Sequence, residues 1–398
     1  MQNIFKKDKT AGSHANKPAK TEKVNGYLSD KVVFSKNDTA VVKGVAIVMM
    51  LFHHLFTSAE RYAGYDIVFS PLSEGLTVEI ASFFKICVAI FVFISGYGIS
   101  ASLSKIRLDD FDGYKRQLKH RYFSLMSTFW FIYILGLISA AIIMPSMLKV
   151  YKGTFDVDFI IFAFFDFMGV SELFGTPTLI GTWWYMSLAL LIIAVMPLLY
   201  RLYKKFGCFP LLMLTFFICG IVYKAYNDKV INFDMVRWTF TLVLGMICEE
   251  KNLLARIKTF RIVKKSKALD FIIKFIIMTA GLAFCLYLRQ RSTWAVSYIR
   301  DGLVPAYVVL YCYVILCDIP IINGILKFLG KHSYNIFLSH TFLRGFYLKD
   351  FIYGFKYPIV IFIVLLALSV LLSVVIDLLK KYSGYDKLMK RLINRVCK

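Results

Sequence analysis

The sequence predicts an all-α, polytopic integral membrane protein with about ten transmembrane helices and both termini in the cytoplasm. Composition is the first reason: of 398 residues 58% are hydrophobic and 17% aromatic, only 18% are charged, and the mean hydropathy is +0.64. An ordinary soluble domain does not reach such values. The second reason is the recurrence of apolar runs long enough to cross a bilayer, which takes about 20 helical residues. The third is where the basic residues fall. The 48 Lys and Arg, against 25 Asp and Glu, concentrate in segments 1–43, 104–121, 249–268 and 380–398, which share one side when the runs are threaded in order. Lys and Arg mark cytoplasmic loops. In a soluble chain this charge would suggest nucleic acid, but no nucleic-acid-binding motif accompanies it, so no such partner is expected.

Residues 1–38 are polar and Lys-rich and have neither the apolar core nor the small-residue cleavage site of a signal peptide. They read as a disordered basic cytoplasmic tail. The transmembrane domain, 39–380, carries crossings at about 40–57, 81–103, 122–144, 179–200, 207–226, 235–250, 269–288, 302–319, 333–350 and 357–379. The run from Phe159 to Gly169 is too short to cross and holds Asp166, so it is expected to be interfacial or re-entrant. Counted as a crossing, it would put the basic 249–268 loop outside. The basic tail 381–398 is expected to form an amphipathic helix on the inner leaflet. No repeat of 20–50 residues is present. The eight cysteines lie mostly in apolar runs and form no C-x-x-C pair, so neither a disulfide framework nor a metal site is expected.

The most informative crossing is the first. His53 and His54 sit inside the apolar run Val41 to Phe56, where a polar side chain is costly and by default functional. Lys43 lies eleven positions before His54, about 16 Å below it on a helix. That spacing puts a cation at one membrane face and a titratable base near mid-membrane. His54 is the expected general base, because an imidazole with an ordinary pKa near about 6.5 accepts a hydroxyl proton at neutral pH. His53, about 100° round the helix, supports it or packs.

Four segments carry a family resemblance. KGVAIVMMLFHH at 43–54 resembles the opening helix of the membrane acyltransferase 3 family, where RGIA precedes a histidine at the same distance. FVFISGYG at 91–98 resembles that family's phenylalanine-rich SGF motif. TWWYMSLAL at 182–190 is similar to its LWFL segment, and LGKHSYNIFLSH at 329–340 to its late GKSYxIYLxH signature. The four occur in order and span nearly all of the membrane domain. The chain departs from the pattern at Lys43 in place of arginine, at Leu118 and Ser124 before the third crossing, and at Leu188 to Leu190, where an acidic or amide residue is common. Lysine keeps the charge but loses the bidentate fork of a guanidinium.

The resemblance implies a membrane O-acyltransferase that moves an acyl group, most simply acetyl from acetyl-CoA, to a hydroxyl of a cell-surface carbohydrate such as a capsule, exopolysaccharide or wall glycan precursor. It also implies a bacterial cytoplasmic membrane, no metal, and a lipid bilayer, an acyl-CoA and a glycan as partners; a homo-oligomer is compatible with it. Within that reading Lys43, Arg116, Lys119 and Arg121, at inner helix ends, are expected to bind the donor phosphates. Alternatively they are positive-inside anchors. Ser95 and Gly96 either admit the donor's pantetheine arm or let helices approach closely. Trp184 and Tyr185 stack on sugar or, with Trp183, form an interfacial aromatic belt. His340 is the expected supporting partner of His54. A transporter or flippase of polysaccharide intermediates is the rival, although it calls for internal duplication that the sequence lacks.

Overall fold

The computed structural model describes residues 33–155, 157–227, 235–291 and 297–397. Residues 1–32 of the expected N-terminal tail lie outside them. The described chain is helical, with no strand among the described residues. Its α-helices are α1 Lys36–Phe56, α2 Glu74–Phe83, α3 Cys87–Leu103, α4 Phe111–Ile143, α5 Asp158–Phe167, α6 Ser171–Phe174, α7 Trp184–Phe206, α8 Cys208–Asn227, α9 Thr239–Glu250, α10 Leu253–Thr259, α11 Lys267–Arg291, α12 Ser297–Val314, α13 Pro320–Thr341, α14 Lys349–Tyr353, α15 Pro358–Tyr382 and α16 Tyr385–Val396. A π-helical turn, Phe342–Tyr347, joins α13 to α14.

Among the described residues seven helical segments are long and apolar enough to cross a membrane: Lys36–Phe56, Glu74–Leu103, Phe111–Ile143, Gly181–Phe206, Lys267–Leu288, Asp301–Asp318 and Pro358–Tyr382. The other three expected crossings are helical but differ in form. The apolar part of α8 is short, Cys208–Val222. α9 has twelve residues and is extended by a 3-10 turn at Met235–Trp238. The run 333–350 is the end of α13, the π turn and the start of α14, while α13 itself begins at Pro320 and includes Lys327, Lys331 and His332. Those charges lower the hydropathy of a helix that is otherwise long enough. α5 has ten residues, with Ile160 and Phe164 exposed and Asp166 buried, as a short interfacial helix requires.

Two close helix crossings organise the core. A Cβ built on Gly44 would stand 2.1 Å from the Leu326 carbonyl oxygen, and one on Gly330 would stand 1.7 Å from that of Ala40. Only glycine permits this approach of α1 and α13. Gly96 and Gly245 do the same for α3 and α9, each placing a would-be Cβ 2.1 Å from a carbonyl oxygen, of Leu242 and Phe93 respectively. Both pairs run parallel: beyond the first crossing the His54 and His340 rings meet, and beyond the second Ser100 donates to Glu249 at 2.8 Å. Apolar side chains from α1, α3, α12, α13 and α15 fill the space between them, including Ile47, Leu51, Ile90, Val309, Ile336 and Leu365. On the outside, Ile142, Ile143, Ile276, Ile363 and Leu371 remain exposed, the surface expected of helices whose solvent is lipid.

Candidate active site

The site is built where α1 and α13 end. On each helix the histidine follows the crossing glycine by ten residues, which is about 15 Å of rise. The clamp at Gly44 and Gly330 therefore fixes the separation of the rings above it. His54 and His340 have centroids 5.1 Å apart at an interplanar angle of 31°, and His53 stands 5.2 Å from His54. His340 is fully buried, whereas His54 is only half-buried. Of these two, His54 is therefore the imidazole that an incoming group can reach.

Hydrogen bonds set the ring states. His340 Nδ1 lies 3.0 Å from the Ile336 carbonyl oxygen and 2.9 Å from that of Phe337. Both partners are acceptors, so Nδ1 carries the proton and Nε2 keeps its lone pair. Thr341 Oγ1 lies 3.3 Å from that Nε2 and also 3.3 Å from Thr182 Oγ1, which links the ring to the start of α7. His53 Nδ1 donates to the Ala81 carbonyl oxygen at 2.7 Å. That bond ties α1 to α2, away from His340.

Two arginines that sequence reasoning missed complete the site. Arg61, in the 3-10 turn after α1, donates through Nη1 to the His54 carbonyl oxygen at 3.0 Å and approaches His54 Nδ1 at 3.5 Å. Arg344 stands on the π turn, within electrostatic range of His54 and His340, and hydrogen-bonds the Tyr353 side chain. Tyr353 in turn donates to the Leu55 carbonyl oxygen at 3.1 Å. Neither arginine lies in a run whose pattern marks it. Position four to seven residues past a histidine at a helix end is the only signal available, and it is weak.

The other expected site residues are dispersed. Ser95 hydrogen-bonds Tyr185, whose ring lies 5.4 Å from that of Phe337 and 6.2 Å from that of Phe91. Gly96 is the crossing glycine of α3. Trp184 packs beside Tyr185 with centroids 6.1 Å apart. Trp183 departs from the belt reading, because it is buried and its Nε1 donates to the Leu338 carbonyl oxygen at 3.0 Å, two residues before His340. A belt tryptophan faces lipid headgroups; this one pins α7 to α13. Lys43 is half-buried and has no hydrogen bond or ion pair among the described residues. Arg116 lies 3.8 Å from Asp110, Lys119 is exposed, and Arg121 donates to the Gly98 carbonyl oxygen at 2.8 Å and to Ser102 at 2.7 Å. Arg121 thus fastens α4 to the end of α3, and among the described residues no shared hydrogen bond or ion pair joins these four bases. Among the described residues no group of His, Cys, Asp and Glu is arranged to hold a metal.

A second polar cluster supports the segment between α4 and α7. Asp166 is buried and accepts from Tyr151 Oη at 2.5 Å and from the Leu179 N–H at 2.6 Å, both through one oxygen; Tyr151 also meets Tyr133 Oη at 3.1 Å. Burial pushes the Asp166 carboxyl up to about 6.

Compared with known protein families, residues 40–378 match the family model described as an acyltransferase domain. No curated protein and no solved structure matches the chain.

Proposed function

Because the chain belongs to the acyltransferase 3 family and is a membrane acyltransferase, we propose that it transfers an acetyl group from acetyl-CoA to a hydroxyl of a cell-surface carbohydrate, with His54 as the general base. The observation that carries this reading is the imidazole pair on the glycine-clamped helices. His54 is accessible and takes the hydroxyl proton. The oxygen attacks the thioester carbonyl, a C–O bond forms, the C–S bond breaks, and the thiolate takes a proton. His340, whose Nδ1 proton is fixed by its two carbonyl partners, turns its other ring nitrogen away from them and supports the imidazolium that forms beside it. The donor reaches the ring from the Lys43 end and the acceptor from the Arg61 end.

We also place both termini and the basic loops on one inner side, with ten crossings. What supports this is the direction of the chain. Tyr334 reaches Leu125 and Tyr347 reaches Ser139, so α13 runs parallel to α4 as well as to α1; these are the first, third and ninth crossings, all odd-numbered. Glu249 meets Ser100, Lys204 meets Glu250 and Lys258 meets Asp318. These contacts gather the ends of α3, α7, α9 and α12, four of the five even-numbered crossings, on a common face.

The test is the full-length His54→Gln protein in lipid, assayed for acyl transfer with mass analysis of the glycans. Loss of about 10²–10⁴-fold in rate with an unchanged thermal midpoint is the expected result. Normal transfer would remove His54 from the mechanism.

A further inference from the structure

The site holds more positive charge than acyl transfer from a neutral thioester to a neutral hydroxyl requires. Arg61 and Arg344 flank two imidazoles, and each lies within electrostatic range of the other. Neither takes part in a salt bridge among the described residues. The nearby carboxylates are held by tyrosines: Tyr62 donates to Glu74 at 2.8 Å, and Tyr65 donates to Asp350. Glu60, beside Arg61, is exposed. Arg61 spends only Nη1 on His54, Arg344 spends a donor on Tyr353, and the Nε of Arg344 is shut off from solvent without a partner among the described residues. A guanidinium presents five N–H donors, so most of the donors of this pair are unspent. Glu60 is in electrostatic range of Arg61 but is exposed and screened by solvent, so holding the two guanidiniums together is still unfavourable, and an arriving carboxylate or phosphate would relieve it through charge-assisted, bidentate bonds.

Position says which substrate brings the anion. Lys43 lies about 16 Å from His54 toward the start of α1, whereas Arg61 and Arg344 come after the ends of α1 and α13. The arginines therefore face the acceptor end. Aromatic surface lies there too: the ring of half-buried Tyr65 stacks on buried Tyr353 with centroids 5.0 Å apart.

We propose that Arg61 and Arg344 form an anion subsite beside the imidazoles, and that it recognises a carboxylate or phosphate carried by the acyl acceptor, which makes the preferred substrate an acidic glycan. This rests on the acyl-transfer reading above only for the acceptor's role; the anion site can be measured without it. Full-length protein in lipid nanodiscs is given acetyl-CoA with methyl glucuronoside, glucose 1-phosphate or methyl glucoside. One or both anionic acceptors should exceed the neutral one in kcat/KM by about 10- to 100-fold, the range of a hydrogen bond to a charged group. Whichever does so identifies the anion. Arg344→Gln should collapse that ratio chiefly through KM, and Arg344→Lys should restore part of it. Arg61→Gln provides the same reading should Arg344→Gln fold poorly. No preference in the wild-type protein, or a variant that loses kcat equally for charged and neutral acceptors, would overturn the proposal.

If none of the three is acetylated, the acyl-transfer reading fails and binding decides the anion site. A thermal midpoint raised by glucuronate or glucose 1-phosphate but not by glucose, and not in Arg344→Gln, sustains it. An unmoved midpoint overturns it.

Discussion

His53 and His54 are adjacent in sequence but differ in what they touch, and substitution should separate them. His53→Ala loses, among its contacts, the bond to the Ala81 carbonyl oxygen, worth about 1 kcal/mol. Its thermal midpoint should fall slightly while acyl transfer stays within a few fold of wild type; equal loss in His53→Ala and His54→Gln would mean that the adjacent imidazole also faces the substrate. Lys43 offers a kinetic test of donor docking. With no partner among the described residues, it is free to meet a phosphate, so Lys43→Gln should raise the KM for the acyl donor with less effect on the acceptor. Lys43→Arg should keep or improve donor use, because the guanidinium restores a bidentate contact. Unchanged donor kinetics in Lys43→Gln would reduce the residue to an anchor at the membrane face.

At the scale of elements, function depends on how closely α1 and α13 approach. Gly44→Ala and Gly330→Ala each drive a methyl into backbone on the facing helix. Overpacking of this kind costs about 1–3 kcal/mol, and it also spreads the histidines above the crossing, so transfer should fall with the thermal midpoint. Gly98→Ala is the control, since a Cβ there meets nothing within 4 Å; a loss as large as that of Gly44→Ala would show that helix propensity rather than close approach is being measured. The support of α5 makes a pH prediction. The carboxyl of Asp166 titrates near about 6 in the fold against an ordinary 3.8, so between these values the native state binds more protons than the unfolded chain. Stability from this group is greatest below about pH 4 and falls as pH rises toward 6. Ionised burial then costs about 3 kcal/mol at neutral pH. Asp166→Asn keeps one oxygen for both Tyr151 and Leu179. Its thermal midpoint relative to wild type should rise from pH 4 to pH 7, and a difference that does not vary with pH would refute the assignment.

For the whole molecule, the threading can be checked by cysteine labelling from outside in a background without native thiols. Probes at Glu60 and Arg291 should react, and one at Lys264 should not. Lys264 is a better inner probe than Lys258, which bonds Asp318 and the Tyr313 carbonyl oxygen. Labelling at Lys264 would overturn the ten-crossing arrangement. The sequence by itself determined the helical membrane class, the family, the short helix around Asp166 and the histidines worth testing, because hydropathy, charge asymmetry and a fixed eleven-residue spacing are properties of one chain read in order. Seven of its ten expected crossings are helices clearly long and apolar enough among the described residues; the forms of the other three were hidden, since hydropathy windows merge a π turn with its neighbouring helices and cannot see that α9 is short. Only the tertiary structure decided that Trp183 is a buried strut, that Arg121 braces α3, and that His54, His340, Arg61 and Arg344 converge. The reason is physical: these side chains belong to segments nearly 290 residues apart, and the glycine contact that brings them together is a complementarity between two helix surfaces, which leaves no periodic trace in either one.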